Sequence, residues 1–357
     1  MGNKKGDKIR RIQLTGGSTY TLSLPKNWVE EMDLDAGNGM VVDEQGSSLV
    51  LSPAKMSEEK GSKEIKIEIG SDESLDAINR KILSLYLVGY SLIEVVPEGE
   101  RIESSQRVGI KDFVRKTLVG TEVISESIEG ITLQVLLSYL ELSVGGALRR
   151  MYDVVTSMQE NALTALEEDD RDLAKEVTEI DDEVDRFQMY LIREIRAAFQ
   201  DPSLLEDIGL DSLRECLGYR LVSKNVERVG DHAAMVSRNF LEMDDSIEEE
   251  SLEMLKEINS LASSILKKAV NSLFEGDYES AEEVIEELQE IYDLEEEINS
   301  YLAQQNPSEV IRIRLILESI RRIAEYGSDI AEIVLNLTIN NGNSFLKDRY
   351  SDSNSRE

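Results

Sequence analysis

From Ser143 onward, apolar residues recur every three or four positions, the period of one buried helix face. The pattern predicts six long helices, over about 143–167, 171–199, 212–243, 248–275, 278–304 and 308–340. They are broken by "EEDD", "QDPSLLEDIGLD", "MDDS", "EGD" and "QQNP", rich in capping and turn residues. Before Ser143 the period shortens. In "TYTLSLP", Thr19, Thr21 and Ser23 alternate with Tyr20, Leu22 and Leu24, and "MVVDEQGSSLVLSP" reads as a hairpin around Gln45-Gly46. "KNWVEEMDLDAGNG" between them makes a helical turn or two. Residues 63–137 alternate strand, helix, strand, helix and a hairpin turning at Glu129-Gly130, a small α+β module with helices on one sheet face.

The six helices contain a repeat. The third helix carries a stripe of Val222, Val226, Val229, Ala233, Val236 and Phe240. Ninety-four residues on stand Ile316, Ile320, Ile323, Gly327, Ile330 and Val334. The second-helix stripe of Val177, Val184, Phe187, Leu191 and Ile195 maps, 107 residues on, to Val284, Ile291, Leu294, Ile298 and Leu302. One position fails, Ile180 meeting Glu287. The pattern implies two copies of a three-helix unit, packed as two bundles.

Composition narrows the chemistry. The chain has 357 residues and is 41% apolar, enough for more than one core, and its 5% aromatics favour helical bundles. One cysteine, Cys216, and one histidine, His232, exclude an internal disulfide and nearly exclude a His/Cys metal site, so a bound metal would rest on carboxylates. No run of about 18 apolar residues predicts a membrane span, and "MGNKKGDKIRR" lacks the apolar core of a signal peptide, so a cytoplasmic location is expected. A net charge of −33 argues against nucleic-acid binding by the whole chain, and reads most simply as solubility or a high-salt cytoplasm. The first 30 residues differ: Lys4, Lys5, Lys8, Arg10, Arg11 and Lys26 outnumber Asp7 and Glu30. This head is too small for a core of its own, which predicts dimerisation.

In the third helix Glu227 and Asp231 are four apart and lie about 140–180° from the apolar stripe, so both are expected to face outward. Asp181 and Asp185 of "DDEVD" make a second such pair on the preceding helix. Antiparallel helices could offer both pairs to one ion, since four carboxylates repel unless a cation neutralises them. The alternative is a solvated surface paired with Lys224, Arg186, Arg228 and Arg238. His232, about 80° from the stripe, reads as a hydrogen-bonded rim residue before it reads as a ligand.

"NVERVGDHAAMVSRNF" resembles the signature of PhoU-type phosphate uptake regulators, and "DDEVDRF" resembles the acidic motif of their preceding helix. That resemblance covers about 143–340 and implies two three-helix bundles, metal held by Asp181, Asp185, Glu227 and Asp231, no assigned role for His232, and negative regulation of phosphate uptake. "RRIQLTGGSTYTLSLPKNWVEEMDLDAGN" is similar to AbrB/SpoVT-type domains, which implies a swapped-hairpin dimer that binds DNA. Archaeal PhoU-domain regulators combine the two. The implied organisation is an AbrB/SpoVT-like domain at 8–53, the α+β module at 63–137, PhoU-like bundles at 143–243 and 248–340, and a flexible tail at 341–357. The fold class is mainly α. The second repeat departs from the motif: Arg321, Glu325, Leu288 and Tyr292 stand where Glu227, Asp231, Asp181 and Asp185 stand in the first. One metal site is therefore expected.

The leading functional expectation is a homodimeric DNA-binding regulator of phosphate uptake that contacts phosphates through Lys4, Lys5, Lys8, Arg10, Arg11 and Lys26. Its body would hold a divalent or trivalent metal such as iron, zinc, manganese or magnesium. The alternative is an adaptor without DNA binding that docks on a phosphate-transporter ATPase or a sensor kinase. A di-metal enzyme ranks last, because no nucleophile or oxyanion donor accompanies the carboxylates.

Overall fold

The computed structural model describes residues 9–45, 48–54, 63–136, 142–243, 246–305 and 307–339. Lys4, Lys5, Lys8, residues 55–62 and the expected tail at 341–357 lie outside them. The chain divides into two compact units, 1–62 and 63–357.

In the first unit, β1 (Gln13–Thr15) pairs antiparallel with β2 (Thr19–Thr21). The tight turn between them needs Gly16 and Gly17, at φ 65° and 81°. A short helix, α1 (Lys26–Glu31), precedes the hairpin of β3 (Met40–Gln45) and β4 (Ser48–Pro53). Among the described residues of this unit only Pro53 is buried. Ile9, Ile12, Leu14, Tyr20, Leu22, Val42 and Leu49 are all exposed.

The second unit begins with an α/β layer: β5 (Glu64–Ile69), α2 (Leu75–Val88), β6 (Leu92–Pro97), α3 (Ser104–Thr117), β7 (Thr121–Glu126) and β8 (Ile131–Val135). The sheet order is β5-β6-β8-β7, with only β5 and β6 parallel. Ile69, Ile93, Val95, Ile131 and Leu133 are buried with Ile78 and Ile82 of α2 and Ile110 and Val114 of α3. Lys66 and Glu94, at alternate positions on β5 and β6, form an exposed ion pair. Ser74 caps α2 through the Ala77 amide, and Gly89 ends it in the left-handed conformation.

Six helices follow: α4 (Val144–Glu168), α5 (Arg171–Gln200), α6 (Leu213–Leu241), α7 (Glu249–Glu275), α8 (Tyr278–Leu302) and α9 (Pro307–Thr338). A single 3₁₀ turn, Pro202–Leu204, interrupts the α5–α6 connection. The stripes read from the sequence are the core: Val222, Val226, Val229, Ala233, Val236 and Phe240 are buried, as are Ile316, Ile320, Ile323, Ile330 and Val334. The 107-residue offset extends to the first helices. Leu148, Met151, Val155, Met158 and Ala162 of α4 are buried, and so are Leu255, Ile258, Ala262, Ile265 and Ala269 of α7. It also governs the breaks. Asp169 takes the left-handed conformation and Asp170 caps α5, while Gly276 and Asp277 do the same before α8. The bundles α4–α6 and α7–α9 share one continuous apolar core, joined chiefly by α6 against α9. At Gly327 a Cβ would lie 3.2 Å from the Leu266 backbone, so only glycine lets α9 approach α7 this closely.

Helix α5 also touches α2 and α3 of the α/β layer. Buried Arg193 donates to the carbonyls of Tyr86 and Tyr90 at the end of α2, and its guanidinium stacks 4.8 Å from the Tyr86 ring centroid. The adjacent Glu194 is 3% exposed, and its Oε2 has no hydrogen-bond partner among the described residues. Burial pushes its carboxyl up to about 7, and Arg193 offsets only part of that. A raised carboxyl favours the fold fully below its ordinary value of 4.5 and loses that contribution as pH rises through about 7. Glu194→Gln is therefore expected to raise the thermal midpoint by about 2–4 °C at pH 8 and to leave it nearly unchanged at pH 5. Calorimetry at the two pH values checks this.

Candidate functional site

The seam between α5 and α6 brings the two acidic pairs together, but not on an outward face. Glu227 is only 9% exposed. The helical-wheel expectation of an outward Glu227 and Asp231 fails because α6 is packed on three sides, by α4, α5 and α9. The direction away from its apolar stripe is not free solvent. Gly230 marks the close approach: a Cβ there would meet Val155 Cγ1 at 3.2 Å and Val184 Cγ2 at 3.5 Å, with Asp181 Oδ1 at 3.6 Å. Asp181 and Asp231 are half-buried, and Asp185 is the most open of the four.

Negative charge in this seam exceeds the positive charge facing it. Lys224 pairs with Glu227, and Arg238 reaches Asp181 Oδ2 at 3.5 Å. Two cations therefore face four carboxylates. Partial burial, then the charges of Glu227, Asp181 and Asp231, push the Asp185 carboxyl up to about 6, with Lys224 opposing. Burial and the Asp231 and Glu227 charges also raise Asp181, against Arg238. Among the described residues, no three His, Cys, Asp or Glu side chains converge closely enough to hold an ion as they stand. The seam gathers charge without closing a cage.

The second repeat resolves the same problem with protein alone. Arg321, at the position of Glu227, places Nε 3.0 Å from Glu295 Oε1 and also pairs with Glu325. Arg322 lies 3.0 Å from Glu325, and the Tyr292 hydroxyl donates to Glu325 at 3.1 Å. Burial would lower the Arg321 guanidinium, but Glu295 and Glu325 outweigh it and hold its pKa above the usual range. Two arginines here engage Glu295 and Glu325, while Asp329, one turn beyond Glu325, stays raised by partial burial and the Glu332 and Glu325 charges, with Arg228 opposing. Glu325 of "EYGSD" is thus engaged within the protein. The sequence showed that an arginine replaces an acid; that it serves as a built-in cation depends on Glu295, which no motif marks.

His232 is part of neither cluster. It packs against Tyr326 of α9, with ring centroids 5.6 Å apart, and its Nδ1 is buried without a hydrogen-bond partner among the described residues. Burial and then Arg322 lower its pKa, so it is neutral at pH 7. The expected hydrogen-bonded rim residue is instead a packed interface residue. In the first unit Arg10 and Arg11 are exposed, and Lys26 pairs loosely with Glu30 at 3.3 Å on an open helix face.

Asp185 is raised above its ordinary 3.8. Its contribution to stability is therefore present below that value and lost as pH rises through about 6. Asp185→Asn is expected to stabilise the metal-free protein by about 1–3 °C at pH 7.5 and to have little effect at pH 4. Thermal unfolding in chelator-treated buffer measures this.

Comparison with known proteins matches the helical body. The PhoU domain model matches residues 148–240 and 241–334 in tandem, just over half of the chain. The model of the MazE bacterial antitoxin, described as antidote-toxin recognition, matches residues 13–59. PhoU from Pseudomonas aeruginosa is similar in structure at a TM-score of 0.50 and 22% identity, over 55% of this chain and 95% of that one. The phosphate transport system regulatory protein PhoU from Streptococcus pneumoniae follows at 0.48 and 17%, over 54% and 92%. No curated protein matches. The likeness to the Pseudomonas structure shows a shared fold, and the tandem domain match shows that this chain belongs to the PhoU family.

Proposed function

We propose that this protein regulates phosphate uptake as a homodimeric DNA-binding regulator whose body holds a metal ion. Membership of the PhoU family supports the phosphate half of this reading. The observation that carries the metal half is the α5–α6 seam, where Asp181, Asp185, Glu227 and Asp231 crowd against too few cations while the second repeat supplies its own. The four carboxylates fit a hard cation by charge and by their all-oxygen donor set, with only Lys224 and Arg238 paired to them. A divalent or trivalent ion such as iron, zinc, manganese or magnesium would neutralise them and pin α5 to α6. The role is sensing or structural rather than catalytic, because no nucleophile or oxyanion donor stands beside the acids.

The DNA half rests on the first unit. Its exposed apolar residues, with Pro53 alone buried, leave it without a core until a second copy covers them. The similarity of residues 13–59 to a MazE-type domain supports a dimeric head. Arg10, Arg11 and Lys26 lie exposed on it, and Lys4, Lys5 and Lys8 extend the basic run in sequence. A basic head on a chain of net charge −33 favours phosphate contacts at this end. No helix among the described residues is long and apolar enough to cross a membrane, and a cytoplasmic location is part of this proposal.

The test is a mobility-shift titration of the full chain on DNA from upstream of phosphate-transport genes. Binding is expected to weaken steeply with salt, and the Lys8→Gln, Arg10→Gln, Arg11→Gln triple variant to bind at least about tenfold less tightly at about 0.1 M salt. Absence of binding at low salt, or unchanged affinity of the triple variant, favours the adaptor that docks on a transporter ATPase or sensor kinase.

A further inference from the structure

Away from the acidic seam, α2, α5 and α6 enclose an apolar groove of about 600 Å³. Its walls are Leu83 and Leu87 of α2, Met189, Ile192 and Phe199 of α5, and Leu217 of α6. The wall residues recur at helical spacing: Leu83 and Leu87 are one turn apart, as are Ile192 and Arg196 and, nearly, Leu217 and Arg220, with exposed Leu221 one turn beyond Leu217 outside the groove. Leu217, Leu221 and Phe199 are 59%, 57% and 47% exposed, a run of large apolar side chains that a monomer has no reason to leave uncovered.

The charge around this groove is the reverse of the chain's net charge. Arg196, Arg220 and Lys224 line it, and no carboxylate does. In a protein with 72 acids and 39 bases, such a rim is a local positive field. Arg196 and Arg220 make no ion pair among the described residues, whereas Lys224 is engaged by Glu227. Helical walls with one-turn ladders accept the ridge of another helix, and they offer no sheet edge for a strand. Charge complementarity then calls for an acidic occupant, and the stripes of this chain's own long helices are already buried in its core, so a helix of another protein with glutamates flanking an apolar stripe satisfies both the ladder and the rim.

We infer that this groove docks an amphipathic helix of a partner protein, with an apolar face seated on Leu83, Leu87, Phe199 and Leu217 and acidic flanks held by Arg196 and Arg220. This adds a partner surface to the reading above, and it depends neither on metal in the seam nor on DNA at the head.

The probe is a fluorescently labelled helical peptide of about 20 residues, with leucines at i, i+3, i+4 and i+7 and glutamates on both flanks. A control peptide carries lysines on the flanks instead. Fluorescence anisotropy with the full chain at low salt is expected to show saturable binding of the acidic peptide alone. The Arg196→Glu, Arg220→Glu double variant is expected to bind at least about tenfold more weakly, as is Leu217→Ser. Arg196 and Leu217 are exposed and Arg220 is half-buried without an ion pair among the described residues, so thermal unfolding of each variant checks that the fold is kept. Lys224 is left intact so that the acidic seam is not disturbed. No binding of the acidic peptide, equal binding of the lysine peptide, or unaffected binding by the variants would overturn the inference. So would binding that emerges only when residues 341–357 are removed, which would make the chain's own C-terminal segment the occupant. Sedimentation showing that Leu217→Ser dissociates a dimer would identify a second copy and overturn it equally.

Discussion

The close approach of α5 and α6 at Gly230 is the constraint on which the body of this protein turns. Apolar contacts from Val155 and Val184 hold the seam shut where a Cβ at position 230 would crowd them. The same approach gathers four carboxylates along its rim, where burial first and then their mutual charge raise Asp181 and Asp185. Packing and electrostatics therefore oppose each other across a few ångströms. Such an arrangement is stable as long as something neutral or positive enters it: protons at low pH, Lys224 and Arg238 in part, or a metal ion in full.

The second bundle shows what the fold does without that opposition. Its helices follow the same offsets, down to the left-handed residue and aspartate cap that start α8, yet Arg321 sits between Glu295 and Glu325 and engages both. The two repeats thus place the same scaffold under different electrostatic rules. One sets an arginine of its own among its acids; the other has a glutamate at that position. Because α6 and α9 pack directly on one another, a change in charge state at the first seam bears on an interface shared by both bundles. The groove formed with α2 borders the same α5 and α6, with Lys224 reaching from its rim to Glu227.

Much of this was legible in the residues. Stripe periodicity located six helices to within a few positions, and the offsets of 94 and 107 exposed the repeat, because both follow from burial, which sequence encodes directly. The four acids were also legible, as pairs one helical turn apart. Their environment was not. A helical wheel measures angle from one stripe, and α6 has three neighbours, so Glu227 came out buried where the wheel placed it outward. Arg193 and Glu194 were invisible for a related reason: their roles depend on α2 meeting α5, a contact between segments about a hundred residues apart. The basic run at the chain start is plain in composition, while half of its residues lie outside the described structure.

The central claim is that the first seam needs an external cation where the second carries its own. Its most direct test transfers one solution to the other. Glu227→Arg places at the first seam the residue type found at position 321. Metal content of the purified protein and thermal unfolding with added manganese are compared between this variant and the unaltered chain. The unaltered chain is expected to retain metal and to gain about 3 °C or more with manganese, while Glu227→Arg folds, retains none and gains nothing. Equal metal content and an equal manganese shift in the two proteins would contradict the account.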